Sequence, residues 1–126
     1  MTGTVFERTF LPAPPEDLYD TYLDPDRHAA VIGARVRISA APGAEFSAFD
    51  GHVRGRILHL DRDRLVIVQA WGSDQLGPGH VVVLTFDAVP GGTEISLLHT
   101  GIPDDQLAHI DWEGRYWRPW RALLDQ

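Results

Sequence analysis

From Thr4 to Leu11 the chain alternates, with Val5, Glu7 and Thr9 on one side and Phe6, Arg8 and Phe10 on the other. That period of two predicts a half-buried strand. Pro12-Ala13-Pro14-Pro15 ends it, and Pro15-Glu16-Asp17 opens a helix with proline and acids in the first turn, where both are favoured. Leu18, Tyr19 and Tyr22 supply its apolar side, and Asp24-Pro25-Asp26 starts a second short helix that runs to Ile32 and closes at Gly33. Short β runs follow, divided by turn residues: Arg35–Ser39, Glu45–Phe49, Val53–Leu60, Leu65–Trp71, His80–Phe86 and Thr93–Thr100. The connections are short enough to make neighbours antiparallel. From Gly101-Ile102-Pro103 to Leu124 the spacing predicts one long helix, whose broad apolar arc includes Leu107, Ile110, Trp112, Tyr116, Trp117, Trp120 and Leu124.

Six runs joined to the first strand predict a seven-stranded antiparallel sheet. A sheet of that size twists and curls, and the last helix is the one element long and apolar enough to fill its concave side. An α+β architecture of this kind leaves room for a cavity between sheet and helix. Parity assigns the inward faces. Arg54 and Arg56 favour water, which turns Val53, Gly55 and Ile57 inward; Glu94 and Ser96 do the same for Ile95, Leu97 and His99. Val82, Leu84 and Phe86 point in opposite Thr85, and Phe46 and Ala48 opposite Glu45 and Ser47. In Leu65–Trp71 the two faces are both apolar except for Gln69, and parity alone leaves the choice open.

Composition narrows the function. A chain of 126 residues with 44% apolar content fits one folded domain, residues 1–126, with a single core. The net charge is −7, there is no lysine, and the arginines are scattered, which excludes an electrostatic nucleic-acid binder. Without cysteine there is no thiolate nucleophile or Cys-based zinc site. No signal sequence or membrane-spanning apolar run is visible, so a soluble, cytoplasmic protein is expected.

No pattern of catalytic residues stands out. The six histidines show no metal-ligand spacing, and no metal or cofactor is expected. Asp104-Asp105 read as acids at a helix N-terminus, and the glycine pairs open no helix that could cradle a phosphate. No Gly-x-Ser-x-Gly is present, and no catalytic residue is assigned. His99, turned inward, could orient a polar ligand end or act as a general base, although a hydrogen-bonded core histidine is the plainer reading. Pro119 predicts a kink near Arg115.

The chain resembles the C-terminal-type domain of the activator of heat-shock protein 90 ATPase, within the START-like (SRPBCC, helix-grip) superfamily. The residues that carry the likeness run nearly end to end: Pro14-Pro15-Glu16-Asp17-Leu18-Tyr19, Pro42-Gly43-Ala44-Glu45-Phe46, Asp50-Gly51-His52-Val53-Arg54-Gly55, Trp71, Gly79-His80, Leu84-Thr85-Phe86, Gly92-Thr93-Glu94-Ile95, Gly101-Ile102-Pro103, and Trp112 with Tyr116-Trp117. Departures are Ala44 in place of a second glycine, Asp111 where glycine usually precedes the tryptophan, and Val31-Ile32 at the end of the second helix. The resemblance implies a helix-grip fold and turns Ile67, Gln69 and Trp71 inward. Phe46, Ile57, Ile67, Gln69, Trp71, Leu84, Leu97, His99, Ile110 and Trp117 then become the expected lining of a cavity for a small hydrophobic molecule. Two alternatives accompany it: a module that touches a chaperone ATPase, and a small cyclase, dehydratase or hydrolase using the same cavity. The co-chaperones of the family carry a separate N-terminal domain for which this chain leaves no room, so the fold is expected to transfer more readily than the activity.

Overall fold

The computed structural model describes residues 2–73 and 77–125. Strand β1 (Thr2–Leu11) is followed by helices α1 (Pro15–Leu23) and α2 (Pro25–Ile32), as expected. Pro15 occupies the first turn of α1. The Asp24 carboxylate caps α2 by accepting from the Asp26 and Arg27 amides, and Gly33 ends it at φ 69°. Strands β2 (Glu45–Ala48), β3 (Val53–Asp61), β4 (Val66–Ser73), β5 (Gly77–Val89) and β6 (Gly92–Pro103) complete a curled antiparallel sheet in the order β1-β6-β5-β4-β3-β2.

The sheet has six strands rather than seven. In the expected strand Arg35–Ser39, Arg37 alone is bridged, exchanging two 2.8 Å backbone hydrogen bonds with Ser47. Its neighbour Arg35 is diverted: its amide donates to the Asp50 carboxylate instead of to a strand.

The C-terminal helix is also shorter than its periodicity suggests. Strand β6 continues through Pro103, which pairs with Thr2, and residues Asp104–His109 form a 3₁₀ helix. Ile110 is extended, with φ −78° and ψ 122°. Asp111 then caps a fresh start, its Oδ1 accepting from the Gly114 amide at 2.9 Å. A π-helical segment, Glu113–Trp117, runs directly into α3 (Arg118–Leu124). The Arg118 amide donates to the Glu113 carbonyl five residues back. Pro119 explains the widening: it has no amide to donate and its ring would press on the Arg115 carbonyl, and a π turn absorbs both problems where a simple kink was expected.

The helix lies against the concave face. Trp112, Tyr116, Trp117 and Trp120 are all buried there. Trp117 donates its indole N–H to Glu7 at 3.1 Å, and Arg121 donates to the Phe10 carbonyl and the Thr9 hydroxyl, tying α3 to β1. Burial follows parity on β2 to β6: Phe46, Val53, Ile57, Val82, Leu84, Phe86, Ile95, Leu97 and His99 face the core, as do Ile67, Gln69 and Trp71. On β1, Phe6 and Phe10 face outward, 58% and 46% exposed. Gly55 is needed where β3 pairs with β4, because a Cβ there would collide with the Ala70 carbonyl and the Phe46 ring. Among the described residues no helix is long and apolar enough to cross a membrane.

Candidate functional site

The middle of the concave face is packed solid. Ile57, Ile67, Leu84 and Leu97 are at most 1% exposed, and α1 closes over them with Leu18, Tyr19 and Tyr22. Open space lies instead at one end of the groove, where the C-terminal helix begins. A pocket of ≈ 450 Å³ opens there between the ends of β3 and β4, the turn Phe49–Gly51, and residues 109–116. Its apolar walls are Phe49, Val53, Trp71, Ile110, Trp112 and Tyr116. Ser73, His52, His109, Asp111 and Arg115 add polar groups.

Local backbone chemistry shapes this pocket. Phe49 and Asp50 both adopt positive φ, 52° and 59°, so the chain reverses immediately after β2 and swings the Phe49 ring against Tyr116. Two consecutive non-glycine residues in that region cost conformational energy, which the Arg35–Asp50 pairing helps to offset. The Arg115 guanidinium lies over the Phe49 ring, 5.8 Å from its centre. Asp111, whose carboxylate caps the helix, closes the opposite side.

Behind the wall is a buried polar network in two branches. In the first, the Trp112 indole donates to His99 Nδ1 at 3.1 Å. Indole is a donor only, so His99 carries its proton on Nε2 and donates it to His80 Nδ1 at 2.9 Å. Burial, with the neighbouring His80 adding to it, lowers the His99 pKa to about 4, leaving the ring neutral at pH 7. In the second branch, His28 donates from Nδ1 to the Tyr22 carbonyl at 2.7 Å and accepts at Nε2 from the Tyr116 hydroxyl at 2.9 Å. Burial lowers its pKa to about 4 as well. Tyr22 donates its hydroxyl to Gln69 Oε1 at 2.7 Å. Burial pushes the Tyr22 and Tyr116 hydroxyls upward, so both remain protonated donors. Among the described residues two buried donors are left without partners, Gln69 Nε2 and Trp71 Nε1.

Of the ten residues expected to line a cavity, Trp71 and Ile110 line this pocket. Ile57, Ile67, Gln69, Leu84, Leu97 and His99 are fully or almost fully buried in the packed interior. Trp117 is buried against β1, and Phe46 borders a shallow depression over β2 and β3 on the far side. His99 has both ring nitrogens committed, and so offers no free base to the pocket. Sequence reasoning assigned no lining role to Phe49, His52, Ser73, His109, Asp111 and Arg115; apart from Ser73, which ends β4, they come from turns and short irregular helices where period gives no orientation. A usable signal was present in Asp111-Trp112-Glu113-Gly114, an acid at a capping position after a stretch without helical caps. No group of three His, Asp or Glu among the described residues is placed to hold a metal ion.

A profile of the family described as Activator of Hsp90 ATPase homolog 1-like protein matches residues 12–118. The uncharacterized protein C1711.08 of Schizosaccharomyces pombe is 31% identical over 127 residues, covering 98% of this chain and 38% of that protein. The chain therefore spans less than half the length of that relative. Among solved structures, protein CV1439 from Chromobacterium violaceum is similar with a TM-score of 0.75 at 25% identity, covering 98% of this chain and 97% of the other. PFC0360w, an HSP90 activator from Plasmodium falciparum, has a TM-score of 0.81 at 20% identity, covering 99% and 96%, a likeness that speaks for the fold. The helix-grip arrangement and the match across residues 12–118 together make the chain a member of the Activator of Hsp90 ATPase homolog 1-like family.

Proposed function

We propose that the protein binds a small hydrophobic molecule in the pocket between the sheet and the start of the C-terminal helix. One observation carries this reading: ≈ 450 Å³ of open space walled by four aromatic rings, beside an interior that is otherwise filled. That volume is within the range of small-molecule sites, and the mixture of apolar walls with a few polar groups is the usual chemistry of such sites. The protein's part is to exclude water and orient the guest. Native mass spectrometry after incubation with a metabolite extract tests the reading. Discrete small-molecule adducts are expected, and they should disappear in Ile110→Trp, which fills the mouth from a half-buried position. Adducts that persist unchanged in that variant, or none from any extract, would overturn it.

A second reading draws on the family match and the likeness to the Plasmodium HSP90 activator: contact with a chaperone ATPase. Phe6 and Phe10, exposed on the outer face of β1, offer apolar anchors for such a contact. Its measure is the hydrolysis rate of an Hsp90-type ATPase with increasing amounts of this protein. A rate that does not change at saturating concentration removes it.

A further inference from the structure

The polar groups of the pocket are unevenly spent. Asp111, the one carboxylate among its described lining residues, accepts the Gly114 amide. The Tyr116 hydroxyl is turned to His28. What is left unpartnered among the described residues is a buried donor of a wall residue, Trp71 Nε1, and a second donor two residues back on the same face of β4, Gln69 Nε2. The two residues are 8% and 0% exposed. A buried N–H without an acceptor has given up its hydration for nothing, and native interiors contain few of them. At the mouth, the Arg115 guanidinium rests on the Phe49 ring and makes no ion pair among the described residues.

The walls are flat as well as apolar. Trp71 stacks on Trp112 with 27° between the planes, and Trp112 stacks on Tyr116 at the same angle. A planar guest extends such a stack at little conformational cost, whereas a flexible chain gives up rotamer freedom to enter.

We infer that the pocket selects a flat aromatic molecule whose polar groups are hydrogen-bond acceptors, an aryl carbonyl or carboxylate, over one that carries donors. This rests on the pocket being a ligand site. The inner oxygen accepts from the buried Trp71 Nε1, once the indole turns that donor toward the guest. An outer carboxylate, when present, meets Arg115. A donor-bearing guest can turn its donor only to the rim, where Asp111 Oδ2 lies, and leaves the buried indole unsatisfied.

Calorimetry with naphthalenes that differ in one substituent tests this: 2-acetylnaphthalene, 2-ethylnaphthalene, 2-(aminomethyl)naphthalene and 2-naphthoate. The acetyl compound should bind about tenfold more tightly than the ethyl compound, as one recovered hydrogen bond allows, and more tightly than the amine. Trp71→Phe should bring the acetyl-to-ethyl ratio close to one, and Arg115→Gln should reduce the advantage of naphthoate over the acetyl compound. In ¹⁵N-labelled protein, the Trp71 indole proton should move downfield with the acetyl compound and stay in place with the ethyl one, a readout that does not depend on any variant folding. Equal binding of all four compounds overturns the acceptor preference and leaves the pocket as a site. An indole proton indifferent to the acetyl group overturns the role of Trp71. Failure of all four to bind sinks the pocket reading itself.

Discussion

Trp112 Nε1 donates to His99 Nδ1 at 3.1 Å, so the first residue of the C-terminal helix decides which nitrogen of a strand histidine holds the proton. The bond joins the two halves of the fold: β6 and the helix that crosses it. It also requires a neutral His99, because an imidazolium cannot accept at Nδ1.

Acid sensitivity follows. His28 and His99 both have pKa values lowered from 6.5 to about 4 in the folded protein. Above pH 6.5 they are neutral whether the chain is folded or not, and they add no pH dependence. Between pH 6.5 and 4 the unfolded chain takes up protons that the folded one refuses, so stability falls as pH falls through that window. Each histidine accounts for on the order of 2–3 kcal/mol at the acid end. Thermal melts at half-unit steps from pH 8 to 4.5 should show a decline that begins below pH 7, ahead of carboxylate titration. His99→Gln should flatten part of it.

The cap and the glycine at the start of the helix should be strongly coupled. Asp111→Ala removes the acceptor of the Gly114 amide and should cost about 1 kcal/mol. Gly114→Ala would ordinarily gain about 1 kcal/mol in helix propensity. Here the new methyl collides with the Asp111 carboxylate and dislodges the cap, so it should gain nothing. In the Asp111→Ala background the same change should become stabilising. Urea denaturation of the four proteins gives the cycle; simple additivity would contradict this account.

Tyr22 and Gln69 form a pair whose halves do not tolerate separation. Tyr22→Phe strips the buried Gln69 amide of its one hydrogen bond, and should cost about 1–3 kcal/mol. Adding Gln69→Leu removes the stranded amide and should recover a measurable part of that loss. A double variant less stable than Tyr22→Phe alone would show that the amide is satisfied by something else.

Gly55→Ala should be among the most damaging single changes on the sheet, at roughly 3 kcal/mol or more, since the added Cβ meets a backbone carbonyl that cannot move without breaking the β3–β4 ladder. Soluble yield and circular dichroism would register it; an unaffected melting temperature would mean that the strands separate more readily than their register implies.

Alternation made the strands legible. Wherever a charged residue such as Arg54, Arg56 or Glu94 marked the wet face, the buried face of β3 and β6 was read from period alone, while β4, apolar on both sides, needed the family resemblance to be oriented. The outward Phe6 and Phe10 defy hydrophobicity because Val5, Glu7 and Thr9 face the helix, where Glu7 answers the Trp117 indole. The C-terminal region misled for a different reason. Leu107 and Ile110 fall at helical spacing from Trp117 by coincidence, Leu107 packing beside Gly3 instead, and the cap at Asp111 outranks periodicity. The pocket was the least legible part, since Phe49 and Asp50 reverse the chain through left-handed dihedrals that no pattern of apolar residues announces.

The wide turn at Glu113–Trp117 has a consequence for how this terminus tolerates change. A π turn holds one residue more than an α turn of the same length, so the extra residue is absorbed there while the flanking turns keep Trp112 and Tyr116 at the pocket and Arg121 at β1. Removing a single residue inside that turn would close it to an α turn of the same length and press the Pro119 ring on the carbonyl four residues back. Substitutions on either side can be absorbed one at a time, but a shorter turn there would take away the slack that lets the chain carry a proline in mid-helix.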